Sequence, residues 1–306
     1  MRKGVHPDAH LNYRRHMTFN DNSKLDTSRV SKRGKTGIAL GGGGAVVVIG
    51  LFLLSQVLGV DLTGLAGGAT SQGSSSAEAL DCQTGADANA RVDCLMVGAS
   101  NSLDAYWTAE APRLGVSYRS PAEFVLFDGG IGTGCGQATS ATGPFYCPAD
   151  QRVYVDTSFF DELRTRFGAT GGTLSEMYVV AHEWGHHIQQ LEGTFAGTDR
   201  NATGAGSDSV RTELQADCYA GAWAASASQI TDENGVAFIQ PITEAQIADA
   251  LNAAAAIGDD RIQQQSTSSV NPESFTHGSG DQRERWFTNG YSGGAGNCDT
   301  FAAGAL

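Results

Sequence analysis

Residues 36–60 form a run of 25 positions without one charged side chain, and no other feature of this 306-residue chain restricts its fold so strongly. The run carries Ile38, Leu40, Val46, Val47, Val48, Ile49, Leu51, Phe52, Leu53 and Leu54, and as a helix it is long enough to cross the roughly 30 Å of bilayer hydrocarbon. Four glycines, 41–44, weaken its helix propensity, but glycine is common in membrane helices. Lys32, Arg33 and Lys35 precede the run and Asp61 follows it, so the positive-inside rule predicts a cytoplasmic N-terminus and a domain outside the membrane. A cleaved signal peptide fits less well, because the basic segment is long for an n-region and no clean A-x-A site follows the apolar run. The expectation is a single-pass protein of the cell membrane, attached through residues 36–60.

Charge divides at the same place. Residues 1–60 hold nine Lys and Arg against three acids, whereas residues 61–306 hold eleven Arg, no Lys and thirty acids, a net charge of −19. Such a surface repels phosphate backbones, which argues against nucleic acid as a partner. All six cysteines lie beyond the run, on the expected oxidising side, where disulfides persist. Several pairings are open; nearness in sequence favours Cys82 with Cys94 and Cys135 with Cys147, leaving Cys218 for Cys298. Residues 1–35, polar and basic, read as a disordered cytoplasmic tail, residues 61–79 as a flexible linker rich in Gly, Ser, Thr and Ala, and residues 80–306 as one folded domain.

Within that domain, apolar periodicity predicts helices over 99–113, 158–167, 174–191, 207–227 and 243–257, the last with Thr243 as N-cap. Short strands are predicted over 116–119, 123–127 and 153–156, with a glycine-rich loop over 129–143. The fold class is α+β, mostly helical with a small β-sheet.

The chemistry is concentrated in Ala181-His182-Glu183-Trp184-Gly185-His186-His187, where His-Glu-x-x-His lies inside an apolar-periodic stretch. A four-residue step on an α-helix rotates by only about 40°, so His182 and His186 project from one face and can share a metal ion at about 2.0–2.1 Å. Glu183, beside the first ligand, is placed to act as general base on a water that the metal holds. Catalytic zinc takes three protein ligands and an open position, so a third ligand is required downstream. Glu213 and Asp217, four residues apart on a predicted helix, supply it: Glu213 as ligand and Asp217 as hydrogen-bond acceptor for the far nitrogen of a ligand histidine, the gluzincin arrangement.

His187 and Cys218 each lie five residues from a ligand, rotated out of reach, and are assigned to packing and to a disulfide. His277 stands in a loop and offers a hydrogen bond to an oxyanion, or a turn-stabilising role. Arg283 and Arg285 offer a substrate carboxylate a partner, or form ion pairs within an acidic domain.

Cys135-Gly136, the phrase from Gly143 through Phe145-Tyr146-Cys147-Pro148 to Asp150, residues 181–189, residues 211–221, and residues 277–287 with Gln282, Arg283 and Trp286 resemble the bacterial neutral zinc metallopeptidases, a family of single-span HExxH proteins. The resemblance spans about residues 80–295 and leaves out the basic tail. It implies a zincin-like fold, one zinc ion per chain, and hydrolysis of peptide bonds in a peptide or protein substrate, which would lie as an extended strand along 153–156 or 123–127. Two rival expectations stand beside it: a catalytically silent zinc-binding scaffold of the cell envelope, and a zinc amidohydrolase acting on a non-protein envelope amide.

Overall fold

The computed structural model describes residues 18–34, 77–302 and 304–306. Its strands are β1 (Val30–Arg33), β2 (Ala77–Glu78), β3 (Glu123–Phe127), β4 (Gly130–Thr133), β5 (Gly136–Thr139), β6 (Phe145–Cys147) and β7 (Arg152–Asp156). The helices are α1 (Gly85–Ala90), α2 (Val92–Glu110), α3 (Phe159–Thr165), α4 (Thr173–Glu192), α5 (Asp208–Ser226), α6 (Glu244–Ala256), α7 (Asp259–Thr267) and α8 (Gly280–Gly293). The α+β class, mostly helical with small sheets, is as expected.

Five strands form one mixed sheet in the order β2-β1-β3-β7-β6, with β1, β3 and β7 parallel and the two outer strands antiparallel to their neighbours. Period-two alternation divides its side chains between two cores. Phe124, Leu126, Val153 and Val155 face the helices. Val125, Phe127 and Tyr154 face the β4–β5 hairpin, meeting Ile131, Ala138 and Cys147. That hairpin occupies the predicted glycine-rich loop, and a disulfide from Cys135 to Cys147 ties its tip to β6. Cys82–Cys94 and Cys218–Cys298 complete the three expected bridges.

Three expectations are corrected. Residues 116–119 form no strand: Val116 closes a turn by donating its N–H to the Ala111 carbonyl, 2.9 Å away, and no neighbour supplies a ladder. Residues 123–127 and 153–156 are strands, but interior ones whose hydrogen-bonding groups face other strands; the sheet's edges are β2 and β6.

The third correction concerns the N-terminal segment. Residues 18–34 are built into the domain rather than disordered. Phe19 is fully buried against Gly98, the backbone N–H groups of Thr18 and Phe19 both bond the Asn89 side chain at 3.0 Å, and β1 lies inside the sheet. Lys32 and Arg33, expected as basic residues flanking a membrane span, reach Asp93 at 3.5 Å and Glu123 at 2.8 Å. The run 36–60 itself lies outside the described residues, among which no helix is long and apolar enough to cross a membrane.

Helix α4 is buried around nearly its whole girth, polar residues included, with α2, α5, α6 and the sheet around it. Two contacts let α5 lie close to its neighbours. Gly185 of α4 meets the backbone of Ala216, and Gly221 and Gly290 bring α5 and α8 so near that an added Cβ would fall 2.0 Å from the Phe287 carbonyl oxygen and 1.8 Å from that of Cys218. Glycine is required at Gly221 and Gly290 because a backbone oxygen occupies the space of a side chain, whereas at Gly185 the approach is only slightly tighter than a methyl tolerates.

Candidate metal centre

The close approach of α4 and α5 at Gly185 sets the two polar rows of these helices against one another. His182 and His186 project from α4, and Glu213 from α5, with Ser207 capping α5 by accepting from the Val210 N–H at 3.2 Å. Glu213 lies 3.0 Å from His182 Nε2 through one carboxylate oxygen and 3.5 Å from His186 Nε2 through the other. One ligand atom from each of the three residues lies within 4.8 Å of the other two. Donors around a tetrahedral ion at 2.0–2.1 Å are separated by about 3.3 Å, so the three side chains are set for zinc with little movement.

Each histidine is turned so that Nε2 faces Glu213. His182 Nδ1 is 2.8 Å from Asp217 Oδ1, and since a carboxylate only accepts, Nδ1 donates and Nε2 is the atom left to offer a lone pair to a metal. His186 Nδ1 is 2.8 Å from Gln189 Oε1, which has the same effect without a charge. Asp217 is fully buried, and burial by itself would raise its pKa; Arg283 and His182 outweigh that and hold it at about 2. Arg283 donates Nε to Oδ2 at 2.8 Å and Nη2 to Oδ1 at 3.0 Å, a two-pronged pair, while Tyr178 donates its hydroxyl to Oδ1 and receives Arg283 Nη2 at 3.1 Å. Burial likewise opposes charge on His182, but the Asp217 and Glu213 carboxylates raise its pKa to about 10. His186 and His277, with the His182 hydrogen bond, pull Glu213 well below the carboxylate range against the effect of burial.

A second cluster of possible ligands, Cys82, Asp93 and Cys94, has no thiolate to offer because its cysteines are bonded to each other.

A family model described as "Putative neutral zinc metallopeptidase" matches residues 12–301. The chain belongs to this family. An uncharacterized protein of Mycobacterium tuberculosis, Rv2575, is 53% identical over 227 residues, covering 74% of this chain and 76% of its own. An uncharacterized protein of Escherichia coli K12, YpfJ, is 40% identical over 266 residues, covering 85% and 87%. No solved structure matches.

Membership in the neutral zinc metallopeptidases implies zinc and a hydrolase, and the donor set fits that ion: two imidazole nitrogens and one carboxylate. The family match begins at residue 12, inside the basic tail that the resemblance left out, in agreement with the place of β1 in the sheet. Glu183 is buried beside the histidines, and no described residue donates a hydrogen bond to its carboxylate. His187 points away, as expected: its Nε2 bonds the Arg119 carbonyl at 2.7 Å, and burial pushes its pKa down to about 4. His277 is half-exposed in the loop before α8, close enough to Glu213 for their charges to stabilise each other. Asp259 Oδ2 accepts the consecutive backbone N–H groups of Thr276, His277 and Gly278 at 2.6, 2.7 and 3.0 Å, so one carboxylate fixes this loop. Arg283 is no binder of substrate, being spent on Asp217, and Arg285 bonds the Ala305 carbonyl.

Tyr178, Gln189, Gln215 and Asp259 escaped the sequence reading. Tyr178 and Gln189 stand four residues before His182 and three after His186, on the ligand face of α4, and that spacing was the available signal.

Proposed function

We propose that this chain is a zinc-dependent peptidase that binds one zinc ion through His182, His186 and Glu213 and uses Glu183 as general base. The observation that carries the reading is the convergence of two histidine Nε2 atoms, each freed by a hydrogen bond at Nδ1, on the two oxygens of one carboxylate. Zinc, when bound there, lowers the pKa of a water towards 7 and polarises the scissile carbonyl. Glu183, adjacent in the helix to His182, takes the proton of the attacking water and returns it to the leaving amine. His277 donates to the oxyanion, with its Nδ1 side held by Thr276 Oγ1 at 2.9 Å and Asp259 at 3.5 Å. Strand β6, packed against α4 where Tyr146 bonds Gln190, replaces the two interior strands as the edge to which an extended substrate adds.

Membrane attachment through residues 36–60 and a domain outside the cytoplasm belong to the same reading, supported by the uncharged length of the run and by three disulfides. The sheet adds a condition: residues 18–34 and 77–302 share it and so share one compartment.

The test is zinc content and chelator-sensitive cleavage of an unfolded protein by the full-length chain. Glu183→Gln is expected to keep its zinc while turnover falls at least about a hundredfold, and His186→Ala to lose both. Wild-type turnover in Glu183→Gln would remove that residue from the mechanism. Zinc without cleavage of any peptide, but with release of amine from cell-wall amides, would transfer the reading to an amidohydrolase.

A further inference from the structure

The two histidines are oriented by different means. Behind His182 stands a carboxylate paired with a buried guanidinium; behind His186 stands a series of neutral amides leading away from the site. The series is best read from its far end, because backbone carbonyls can only accept. Gln215 Nε2 lies 3.1 Å from the Cys298 carbonyl oxygen, so its NH2 group faces that oxygen and its own Oε1 points inward. There Oε1 accepts from Gln189 Nε2 at 2.9 Å, and the same Nε2 donates its second hydrogen to the Thr212 carbonyl at 2.7 Å. With both hydrogens taken, Gln189 can present only Oε1 to His186, 2.8 Å away, and His186 Nδ1 must donate. A neutral His186 ring therefore carries its lone pair on Nε2, the atom that faces Glu213.

Every member is buried: Gln189 fully, Gln215 at 7%, Thr212 at 3% and Cys298 at 2% exposure. Water is not at hand to replace a missing partner, and aligned bonds of this kind polarise one another. The far end is tied down twice. Cys298 is bridged to Cys218, which follows Asp217 in α5, and Thr300 donates its hydroxyl to the Arg211 carbonyl at 2.7 Å.

We propose that Gln215 is a positioning residue for the zinc ligand His186, acting through Gln189, and that the Cys218–Cys298 disulfide holds the relay's last acceptor in place, so that zinc affinity depends on the redox state of that bridge. Exchange with a small dithiol would break the S–S bond, convert both cysteines to thiols and oxidise the dithiol to its cyclic disulfide. The Cys298 carbonyl then loses its covalent hold, while the orientation of His182 by Asp217 and Arg283 is untouched. The proposal rests on the reading of His182, His186 and Glu213 as zinc ligands.

Two measurements on the full-length chain separate the proposal from that reading. Zinc affinity is measured by competition with a chromophoric chelator, and the tautomer of the neutral His186 ring is read from imidazole 15N shifts of the metal-free protein, with the His182 signal followed beside it. Gln215→Met is expected to weaken zinc about tenfold to a hundredfold, as removal of outer-shell partners does. Its His186 signal should change from the single Nδ1–H form to a mixture, with the His182 signal unchanged. A collapsed fold would move both signals, so the unchanged one marks a specific effect. The Cys218→Ser/Cys298→Ser pair is expected to shift both readouts in the same direction. Wild-type affinity and a pure Nδ1–H tautomer in Gln215→Met would overturn the relay, and the same result in the cysteine pair would overturn the disulfide's part. A wild type that bound no zinc would sink the ligand reading, yet the His186 tautomer would still decide whether the relay orients the ring.

Discussion

Buried titratable groups around the centre make opposite demands on pH. His187 is fully buried with a folded pKa of about 4, below the 6.5 of an ordinary histidine. Above pH 6.5 both folded and unfolded chains hold it neutral. As pH falls from 6.5 towards 4, the unfolded chain takes up a proton that the folded one refuses, so stability decreases by about 3 kcal/mol in all and no further below that window. Urea unfolding of His187→Gln across this range is expected to show a shallower loss than wild type; equal slopes would acquit His187. The Arg283–Asp217 pair is a different case. Arg283→Met strands a buried carboxylate and is expected to destabilise the metal-free protein by about 3–5 kcal/mol. Asp217→Asn/Arg283→Met, which removes both charges, should recover much of that, and equal losses in the two variants would show that the charge is not the cause. At this scale the cluster of His182, His186 and Glu213 was legible because metal geometry demands particular residue types at helical spacing. Gln189 and Gln215 were not, because an amide has no distinctive chemistry until a tertiary contact gives it an acceptor on one side and a donor on the other.

Four of the five expected helices were legible to within a residue or two, while the one expected over 99–113 spans Val92–Glu110, and Thr243 caps α6 as expected with its hydroxyl accepting from the Gln246 N–H. Helix α8 was missed because its buried residues, Arg283, Trp286, Phe287 and two glycines, give no clear apolar stripe; it is held instead by a backbone-to-backbone approach to α5. Whether glycine matters there can be decided by magnitude. Alanine gains about 1 kcal/mol of helix propensity over glycine. At Gly290 the added methyl would lie 1.8 Å from a backbone oxygen, and overpacking of that severity costs at least about 3 kcal/mol, so Gly290→Ala is expected to lower the melting temperature by several degrees. At Gly185 the nearest atom is 2.9 Å away, and the two effects nearly offset. The expected signature of Gly185→Ala is therefore weaker zinc binding at little cost in stability, since α4 and α5 move apart where they carry the ligands. Calorimetry beside the chelator titration checks both; a Gly290→Ala protein as stable as wild type would remove the close approach as a requirement.

On the scale of the whole molecule, the N-terminal segment was the hardest part to read. Val30-Ser31-Lys32-Arg33 has one apolar residue, and its charges resemble the flank of a membrane span until Asp93 and Glu123 are seen to receive them. What makes it a strand is supplied from afar, by β3 on one side and by β2, beyond the uncharged run, on the other. Removing Phe19, which fills the space beside Gly98, is expected to cost about 3–5 kcal/mol for Phe19→Ala, far more than a tail residue could. The larger consequence concerns sidedness. A run whose two ends are paired as Lys32 with Glu78 cannot leave residues 18–34 and the domain on opposite faces of a bilayer. The described cysteines are all in disulfides, so a single introduced thiol can be read against a silent background. Asn22→Cys and Ala245→Cys, both at exposed positions, are expected to behave alike towards a membrane-impermeant maleimide in intact cells: both labelled if the domain faces outward, both protected if it faces inward. Labelling at 245 with protection at 22 would mean that the segment stays behind the membrane. The sheet would then have to close without its second strand, and the Phe19→Ala variant would be as stable as wild type.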